Sequence, residues 1–419
     1  MDLSAYERRI LNAIPSEQRT EILARYAVAV ARQLRAAVRT RHTHETVVRQ
    51  ILDTLDVVRF REPTVQVREG KGNRRVVCIN LPDQPFIVDS VRMHLKQLGA
   101  QTVTGFNVIV GFKRNESGQV VAVDEPNFQL ESILRFELEG GFTNTVEDME
   151  QSLINCLQLA QAVVSDFTDI TNVLEKSSER FESAARSIIE RRDEMLEAAE
   201  FVDWLLQENF VFMGLQIGDQ RSGILREGLE HLWVPTILDW SPTVNGTPVV
   251  VRKGNVESPI HRVGLVDELY LAVPNRDGQG FTPIHITGLF TYRAVTQTSR
   301  HVPVLRRVLA DILKSENPPK GSFRYKGICN VFDSLPTEFL FTLGTSTQLI
   351  ELIERVLEAE QESDMRIDIA EQERQDTAFV LLAMPRIFWV DDRLDGVADL
   401  LKRYTKASYV NHGAFVGRY

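Results

Sequence analysis

The sequence predicts an α+β protein of successive ferredoxin-like βαββαβ modules, with an N-terminal helical segment and long connecting helices. Two observations lead to this fold class. Apolar residues recur at helical spacing through the first 58 residues, and from Arg75 they alternate with the period of a strand. A strand, a helix, two or three further strands and a second helix then follow one another. That order is typical of a split βαβ sandwich, in which helices cover one face of an antiparallel sheet.

An N-terminal helical segment is predicted over residues 1–60. Tyr6, Ile10 and Ile14 recur at every fourth position, Pro15 breaks the run, and two further amphipathic helices follow up to Leu55. We expect these helices to form a small packing layer.

A first α+β domain is predicted over residues 75–170. The strand after Arg75 carries apolar residues on both faces, which is typical of a central strand. A helix follows from Ile87 to Leu98 and ends at Gly99, a natural C′ residue. Further strands are predicted at 106–112, 121–123 and 134–138, and a second helix at 149–164. No closing strand is evident after Asp166.

The chain from residue 175 onward predicts a connecting helix at 175–208 and a second mixed α+β domain at 209–335. Strands are predicted in this domain at Phe210–Ile217, Val249–Arg252, Leu269–Val273 and Ile284–Tyr292. One helix is predicted at Val304–Leu313.

Residues 336–419 predict a helical linker and an incomplete third module. The region 336–359 has helical character, and a buried strand, a helix and a strand follow at Ala378–Met384, Leu394–Leu401 and Tyr409–Val416. Such a half-module cannot cover its own sheet. We therefore expect a longer chain or a partner to complete it.

Composition indicates a multidomain cytoplasmic protein. A chain of 419 residues is too long for one compact core, and a net charge of −10 argues against a broad basic surface for nucleic acid or anionic lipid. No apolar run approaches the roughly 20 residues of a membrane span. Cys78, Cys156 and Cys329 lie far apart, which suits a reducing cytosol. We therefore expect neither a nucleic-acid partner nor a membrane partner.

The turn between the central strand and the first helix is the first candidate site, made of Asp83, Gln84, Pro85, Phe86, Asp89 and Ser90. Asp83 is well placed to cap the helix, with Pro85 in its first turn, where a missing N–H costs nothing. Free N–H groups at a helix start also attract carboxylates and other anions. A structural cap and an effector cleft or module interface are therefore both open.

A second candidate cluster contains Lys253, Ser258, His261, Arg262 and Asp267. Two cations and a histidine around a predicted strand could bind an anion, with Arg262 supplying a bidentate fork. Alternatively, Arg262 pairs with Asp267 or Glu268 and holds the edge of the sheet.

The sequence lacks the common catalytic, cofactor and metal motifs. No G-x-G-x-x-G lies between a strand and a helix, and Gly278-Gln279-Gly280 falls in a predicted hairpin loop. A Walker loop, a zinc-binding histidine pair and a nucleophile elbow are also absent. We therefore predict no catalytic residue, no bound cofactor and no metal site in these residues.

Several stretches resemble, in family order, the large NAD-dependent glutamate dehydrogenases. Pro85–Val91 is similar to the "MPFLVDSV" signature near the start of that family, and Trp204–Gly214 to its "WLxxxNFxFLG". Further similar segments are Ser258-x-x-His261-Arg262 with Asp267, Gly288–Thr291, Pro303–Arg307, Leu335–Phe341 and Met384-Pro385-Arg386. The ordered set spans about residues 75–390.

The resemblance implies an N-terminal region of successive ACT-like domains, which share the ferredoxin-like architecture. Helical modules and a glutamate dehydrogenase catalytic domain would follow much later. The parent enzymes oxidatively deaminate L-glutamate to 2-oxoglutarate and ammonia with NAD. The implied role here is allosteric regulation and assembly of a homo-oligomer, with the downstream catalytic domain and an amino-acid effector as partners. These 419 residues alone are predicted to be inactive.

One position departs from the pattern of amino-acid-sensing ACT domains. Those domains place glycine after the proline of the first strand-to-helix turn, so that the backbone can approach a ligand. Here the residue is Phe86, whose side chain would fill the pocket. We therefore expect assembly or conformational coupling rather than direct amino-acid binding. The alternative is a stand-alone amino-acid-sensing or scaffold protein built of ACT-like domains.

Overall fold

The chain divides into two compact units. The computed structural model describes residues 3–34, 36–62, 64–234, 240, 242, 246–343, 346–362, 364–371, 378–388, 390, 392–407 and 410. Unit 1 comprises Met1–Val164 with Pro259–Val263, and unit 2 comprises Ser165–Ser258 with Gly264–Tyr419. The finer domain boundaries expected from the sequence stay a prediction.

Five helices open unit 1, as the periodicity of the first 58 residues predicts. They are α1 (Ala5–Ala13), α2 (Glu21–Gln33), α3 (Ala36–Arg41), α4 (His44–Leu52) and α5 (Leu55–Val58). A capping box starts α1, because the Ser4 hydroxyl accepts the Glu7 N–H while the Glu7 carboxylate accepts the Ser4 N–H. Tyr26, Val30 and Ile51 are fully buried on the inner side of this layer.

The sheet of unit 1 has five strands with the order β1-β2-β5-β3-β4, and all neighbours are antiparallel. The strands are β1 (Val65–Glu69), β2 (Arg74–Pro82), β3 (Gln101–Arg114), β4 (Val120–Val123) and β5 (Gln129–Glu139). Helix α6 (Ile87–Gln97) joins β2 to β3, and α7 (Val146–Ser187) follows β5. As predicted, β2 is an interior strand and Gly99 ends the helix with a positive φ of 74°.

Strand β1 occupies the place that the closing strand of a βαββαβ module would take. It precedes the module in sequence, yet it pairs antiparallel with β2 from Val65–Ile79 to Glu69–Arg75. The strand that is missing after Asp166 is thus replaced from the N-terminal side, and Asp166 itself lies inside α7.

Helices cover both faces of this sheet, whereas the sequence pattern predicts one covered face. Helices α6 and α7 pack on the face of Val77, Ile79 and Phe136. The opposite face carries Phe106 and Val108 of β3, which pack against the N-terminal helices. Burying such side chains contributes about 1.5–3 kcal/mol each, so an uncovered second face would be unfavourable.

Side chains from the helices cap two edges of the sheet. The Glu150 carboxylate of α7 accepts the outward N–H of Val67 in β1 at 2.6 Å. At the other side, the Gln33 side chain accepts the N–H of Ile109 in β3 at 3.0 Å and donates to its carbonyl. Capped edges resist pairing with a strand of another chain.

The buried guanidinium of Arg114 links the layers of unit 1. It donates to both oxygens of Glu131 at 2.6 and 2.7 Å and to Asn80 Oδ1 at 2.9 Å. Its remaining N–H groups donate to the carbonyls of Val58 and Gly118 at 3.1 and 2.8 Å. All five donors of the side chain are therefore satisfied inside the fold.

Unit 2 begins within α7, which continues unbroken to Ser187 instead of ending at residue 164 as the sequence predicts. A 3-10 turn at Ile189–Arg191 separates it from α8 (Arg192–Trp204). The predicted connecting helix at 175–208 is thus divided between the end of α7 and α8.

The main sheet of unit 2 has the order β7-β6-β10-β9-β8, again fully antiparallel. Its strands are β6 (Phe210–Ile217), β7 (Gln220–Gly223), β8 (Val249–Glu257), β9 (Leu265–Pro274) and β10 (Phe281–Phe290). Among the described residues no helix lies between these strands, so a second βαββαβ module is not confirmed. The α+β character of the chain is confirmed.

Helices cover one face of the main sheet of unit 2. They are α9 (Tyr292–Thr296), α10 (Leu305–Glu316), α11 (Phe323–Ser334), α12 (Thr337–Thr342) and α13 (Ser346–Glu362). Together with α8 they bury Phe212, Leu269 and Ile286 of the sheet in one core. The predicted strand at Ile284–Tyr292 ends at Phe290, because Thr291 caps α9.

A two-stranded sheet and a helix follow α13. They are β11 (Arg366–Glu371), β12 (Ala378–Ala383) and α14 (Asp392–Thr405). The sequence predicts a buried strand at Ala378–Met384, but Ala378 and Val380 are exposed, and among the described strands β12 pairs with β11 alone. The predicted strand Tyr409–Val416 lies outside the described residues. No helix in the described part of the chain is long and apolar enough to cross a bilayer.

Replacing Arg114 with Met should lower the free energy of unfolding by about 3–5 kcal/mol, because Glu131 would stay buried without its countercharge. Urea unfolding followed by circular dichroism measures the loss. Arg25→Met is the matched control, since Arg25 pairs with Glu21 and Glu125 near solvent and should cost about 1 kcal/mol or less. Equal losses in the two variants would contradict the role assigned to Arg114.

Candidate functional site

The turn between β2 and α6 has a strained backbone at Phe86. Phe86 is the N-cap residue of α6, and its φ of 71° lies in the left-handed region that favours glycine. No side chain caps the helix. The first turn of α6 is therefore held by contacts from elsewhere in unit 1.

Asp83 does not cap α6, so the structural role predicted for it is wrong. Its carboxylate accepts the hydroxyl of Ser132 in β5 at 2.5 Å, and its N–H donates to the carbonyl of Leu130 at 3.0 Å. Asp83 thus ties the turn to the neighbouring strand. Gln84 lies beside it, and its buried Nε2 has no hydrogen-bond partner among the described residues.

His261 packs on the start of α6 and brings the two candidate clusters together within unit 1. Its ring meets Phe86 edge to face, with centroids 5.3 Å apart and planes at 72°. Its backbone N–H donates to the buried hydroxyl of Ser90 at 2.9 Å. We call these three residues the Phe86–His261 clasp. His261 also has a positive φ, of 69°, so both aromatic residues adopt an uncommon backbone conformation.

The environment of the clasp disfavours a charged imidazole. Burial lowers the pKa of His261 and the neighbouring Arg262 lowers it further, while Asp89 acts in the opposite direction. The Nδ1 atom of His261 is buried without a hydrogen-bond partner in the described ranges. A neutral ring in an aromatic contact fits this environment.

The second predicted cluster is divided by the structure. Lys253 and Asp267 pair in unit 2, with Nζ and Oδ1 2.9 Å apart, and Lys253 also contacts the Glu338 carboxylate of α12. Asp267 accepts the Phe290 N–H at 2.9 Å. Ser258 instead donates its hydroxyl to the sulfur of Met213 at 3.5 Å.

The buried position of Asp267 favours its protonated form. Burial raises the pKa of Asp267 to about 7, the ammonium of Lys253 opposes the rise, and the carboxylate of Glu338 adds to it. Burial alone would lower the pKa of Lys253, but the two carboxylates outweigh it and raise that pKa. One ammonium thus serves two carboxylates in the core of unit 2.

Sequence reasoning missed a buried polar group on the other face of the same strand. Glu268 accepts from Thr287 at 3.1 Å and pairs with His285, whose ring stacks on Tyr270 with centroids 4.8 Å apart. Two adjacent acids inside the apolar run of β9 were the available signal, because successive strand residues face opposite sides. Lys253 and Glu268 therefore lie on separate faces of the sheet.

The turn into α6 does not fit NAD, the cofactor that the resemblance implies for the parent enzymes. A dinucleotide cradle needs glycines where a strand turns into a helix, so that backbone can approach the pyrophosphate. At this turn Phe86 is the N-cap residue of α6, and its ring contacts the ring of His261. No group of three His, Cys, Asp or Glu side chains that could hold a metal ion occurs within the described ranges.

The contribution of Asp267 to the free energy of unfolding should fall as the pH rises from about 4 to about 7. Folded Asp267 keeps its proton up to about pH 7, whereas in the unfolded chain it releases it near pH 4, so the folded state binds more protons between these values. This contribution is complete below the unfolded pKa and is lost as pH rises through the folded one, with a slope of up to about 1.4 kcal/mol per pH unit.

Urea unfolding of the wild type and of Asp267→Asn over this pH range measures the contribution. The variant should lack the slope, and Asp277→Asn in an exposed loop should retain it. A difference between wild type and Asp267→Asn that does not change with pH would contradict the raised pKa.

Comparisons with known proteins agree with the residue patterns. Residues 7–153 match the family described as glutamate dehydrogenase, ACT1 domain, and residues 302–362 match glutamate dehydrogenase, helical motif 1. The first match covers most of unit 1, and the second covers α10 to α13.

Two curated relatives are similar over most of the chain. The NAD-specific glutamate dehydrogenase of Halomonas elongata is 22% identical over 354 residues, which cover 75% of this chain and 21% of the relative. That of Pseudomonas aeruginosa is 21% identical over 376 residues, or 83% and 23%. The chain therefore spans about a fifth of the length of these relatives. Both family matches and both relatives support the same resemblance: the chain is similar to the N-terminal region of the large NAD-dependent glutamate dehydrogenases.

Proposed function

We propose that this chain is the regulatory and assembly region of a large NAD-dependent glutamate dehydrogenase. The oxidation of L-glutamate to 2-oxoglutarate and ammonia, with reduction of NAD, would take place outside these residues. The observation that supports this most directly is the pair of family matches, an ACT1 domain followed by helical motif 1. ACT-like domains suit conformational control because a strand-to-helix turn can couple a small contact to a whole packed layer.

The Phe86–His261 clasp is the regulatory contact in this proposal. A left-handed conformation costs a non-glycine residue about 1–2 kcal/mol, and such strain persists only where surrounding contacts compensate it. Here the compensating contacts are the His261 ring and the hydrogen bond to Ser90. Closing the clasp orders Pro259–Val263 against α6, and opening it releases the strain at Phe86.

The clasp also explains why this turn would not bind an amino acid in its closed form. A ligand carboxylate would need the free N–H groups at the start of α6. The Phe86 ring and the His261 backbone lie at that helix start. Regulation would therefore act through the open and closed forms of the clasp, which homo-oligomer contacts or an effector bound elsewhere could favour.

A stand-alone amino-acid sensor or scaffold is the second candidate. Gln84 favours it, since its buried Nε2 lacks a partner among the described residues and could donate to a carboxylate. Thermal-shift measurements on the 419-residue chain with the common amino acids test this candidate. Stabilisation that Gln84→Met removes would support the sensor.

Phe86→Gly should change regulation in a full-length enzyme that carries this region while the fold stays intact. Glycine removes the ring contact, worth about 0.5–1.5 kcal/mol, but also removes backbone strain of similar size. We expect the maximal rate of glutamate-dependent NADH formation to stay within about twofold of the wild-type rate. The effector concentration that gives half of the response should shift by about fivefold or more, or the oligomer mass should change.

Asn127→Gly is the matched control for this experiment. Asn127 is exposed and has a φ of 70°, so the substitution relieves the same backbone strain at a residue outside the clasp. Identical behaviour of the two variants would sink the regulatory assignment. Glutamate-dependent NADH formation by the 419-residue chain alone would sink the proposal that catalysis lies elsewhere.

A further inference from the structure

One buried ammonium group contacts two carboxylates where α12 meets the main sheet of unit 2. Lys253 of β8 lies opposite Asp267 of β9, with Nζ and Oδ1 2.9 Å apart. The same ammonium contacts the carboxylate of Glu338 in the first turn of α12. We call these three residues the Lys253 triad. The side chain of Asp267 is 1% exposed and that of Glu338 is 26% exposed, so the two acids differ in their access to water.

The charges of the Lys253 triad do not balance when both carboxylates are ionised. One ammonium and two carboxylates leave a surplus negative charge, and two acids that share a partner repel each other more strongly away from water. Burial raises the pKa of Asp267 to about 7, Lys253 opposes the rise, and Glu338 adds to it. The proton that balances the charge therefore belongs on Asp267, the more deeply buried of the two acids.

Asp267 is also linked to α12 through the aromatic core. Its Oδ2 accepts the N–H of Phe290 in β10 at 2.9 Å. The ring of Phe290 stacks on that of Phe341 in α12, with centroids 5.6 Å apart and planes at 6°, and Trp204 packs against both rings. The carboxyl group of Asp267 is thus connected to α12 in two ways, through the ammonium of Lys253 and through the stacked rings.

Helix α12 is short and depends on its contacts with the sheet. It has six residues, its N-cap residue is Pro336, and no side chain caps it. Isolated helices of this length are unstable in water, so packing has to hold α12 in place. The hydroxyl of Thr337 at its start is buried without a hydrogen-bond partner in the described ranges. The ion pair of Glu338 with Lys253 therefore stabilises a turn that its own residues do not stabilise.

We propose that the Lys253 triad is a pH-sensitive switch that docks α12 on the sheet when Asp267 is protonated and releases its first turn when Asp267 is ionised. In the docked form, the single negative charge of Glu338 matches the ammonium of Lys253. Loss of the proton from Asp267 makes one carboxylate surplus, and Glu338 is the one that water can reach. Asp267 and Lys253 then stay paired in the core. This proposal rests on the regulatory role proposed above and names a device for it.

The direction of the response follows from the charges in the two forms. In the docked form the carboxylate of Glu338 raises the pKa of Asp267, so release of α12 lowers that pKa. The docked form therefore binds the proton more tightly. Docking is favoured below the pKa of the released form and weakens as the pH rises through about 7. A difference of about one unit between the two pKa values corresponds to about a tenfold change in the docking equilibrium.

Hydrogen–deuterium exchange of the 419-residue chain at several pH values measures the docking of α12. Exchange rates are converted to protection factors, which removes the intrinsic pH dependence of amide exchange. The amide of Leu340 donates to the carbonyl of Pro336 across the first turn of α12. Its protection should fall about tenfold between about pH 6 and about pH 8, while the protection of α11 stays constant. Protection of α12 that does not change with pH, or an equal loss in α11, overturns the proposal.

Two substitutions test the Lys253 triad itself. Glu338→Gln removes the charge that becomes surplus, and Asp267→Asn removes the group that titrates, so in either variant the protection of α12 should no longer depend on pH. Glu354→Gln is the matched control, because Glu354 lies on α13 near solvent and pairs with Arg324. This control should keep the wild-type response. A pH response that survives in Glu338→Gln overturns the proposal, whether or not Asp267→Asn folds.

The exchange measurements concern only the docking of α12 within the 419-residue chain. The effector response of a full-length enzyme that carries this region tests the regulatory role separately. A switch that works in the isolated chain while the full-length enzyme shows no regulation would contradict the proposed function alone. The two proposals can therefore fail independently.

Discussion

The buried ion pair of Arg114 and Glu131 is the constraint on which the rest of unit 1 depends. The guanidinium joins two sheet strands directly and reaches Asn80 on a third, while the carbonyls of Val58 and Gly118 tie it to the helical layer and to the β3–β4 connection. Lysine could not replace it, because an ammonium has three donors and no planar fork. One charged group thus fixes how the N-terminal helices sit on the sheet.

The covered faces and capped edges of the unit 1 sheet limit which of its surfaces are open to association. Helices cover both faces of the unit 1 sheet, and the side chains of Glu150 and Gln33 occupy outward backbone groups at Val67 and Ile109. Pairing of this sheet edge to edge with another copy would first have to break those hydrogen bonds.

Local patterns in the sequence predict local structure well here and long-range pairing poorly. The alternation around β2 and the stripe of α6 are properties of neighbouring residues, and both are confirmed. The place of β1 beside β2 is a matter of sheet topology, and no local period encodes it. Asp83 shows the same limit, since a cap was the local expectation but Ser132, 49 residues away, provides its partner. Ser90 and His261 are 171 residues apart in the sequence, so no local pattern could predict their contact either.

Phe86 shows how a local conflict can indicate function when the partner is known. At this turn glycine would satisfy the backbone without strain, and phenylalanine does not. Natural sequences keep such conflicts where another contact compensates the backbone strain. Here that contact is the ring of His261. Phe86 keeps its strained backbone while the His261 ring is in contact, and that contact compensates the strain. Such a contact can respond to weak forces from an oligomer or an effector, whereas a well-packed glycine turn would have a single state.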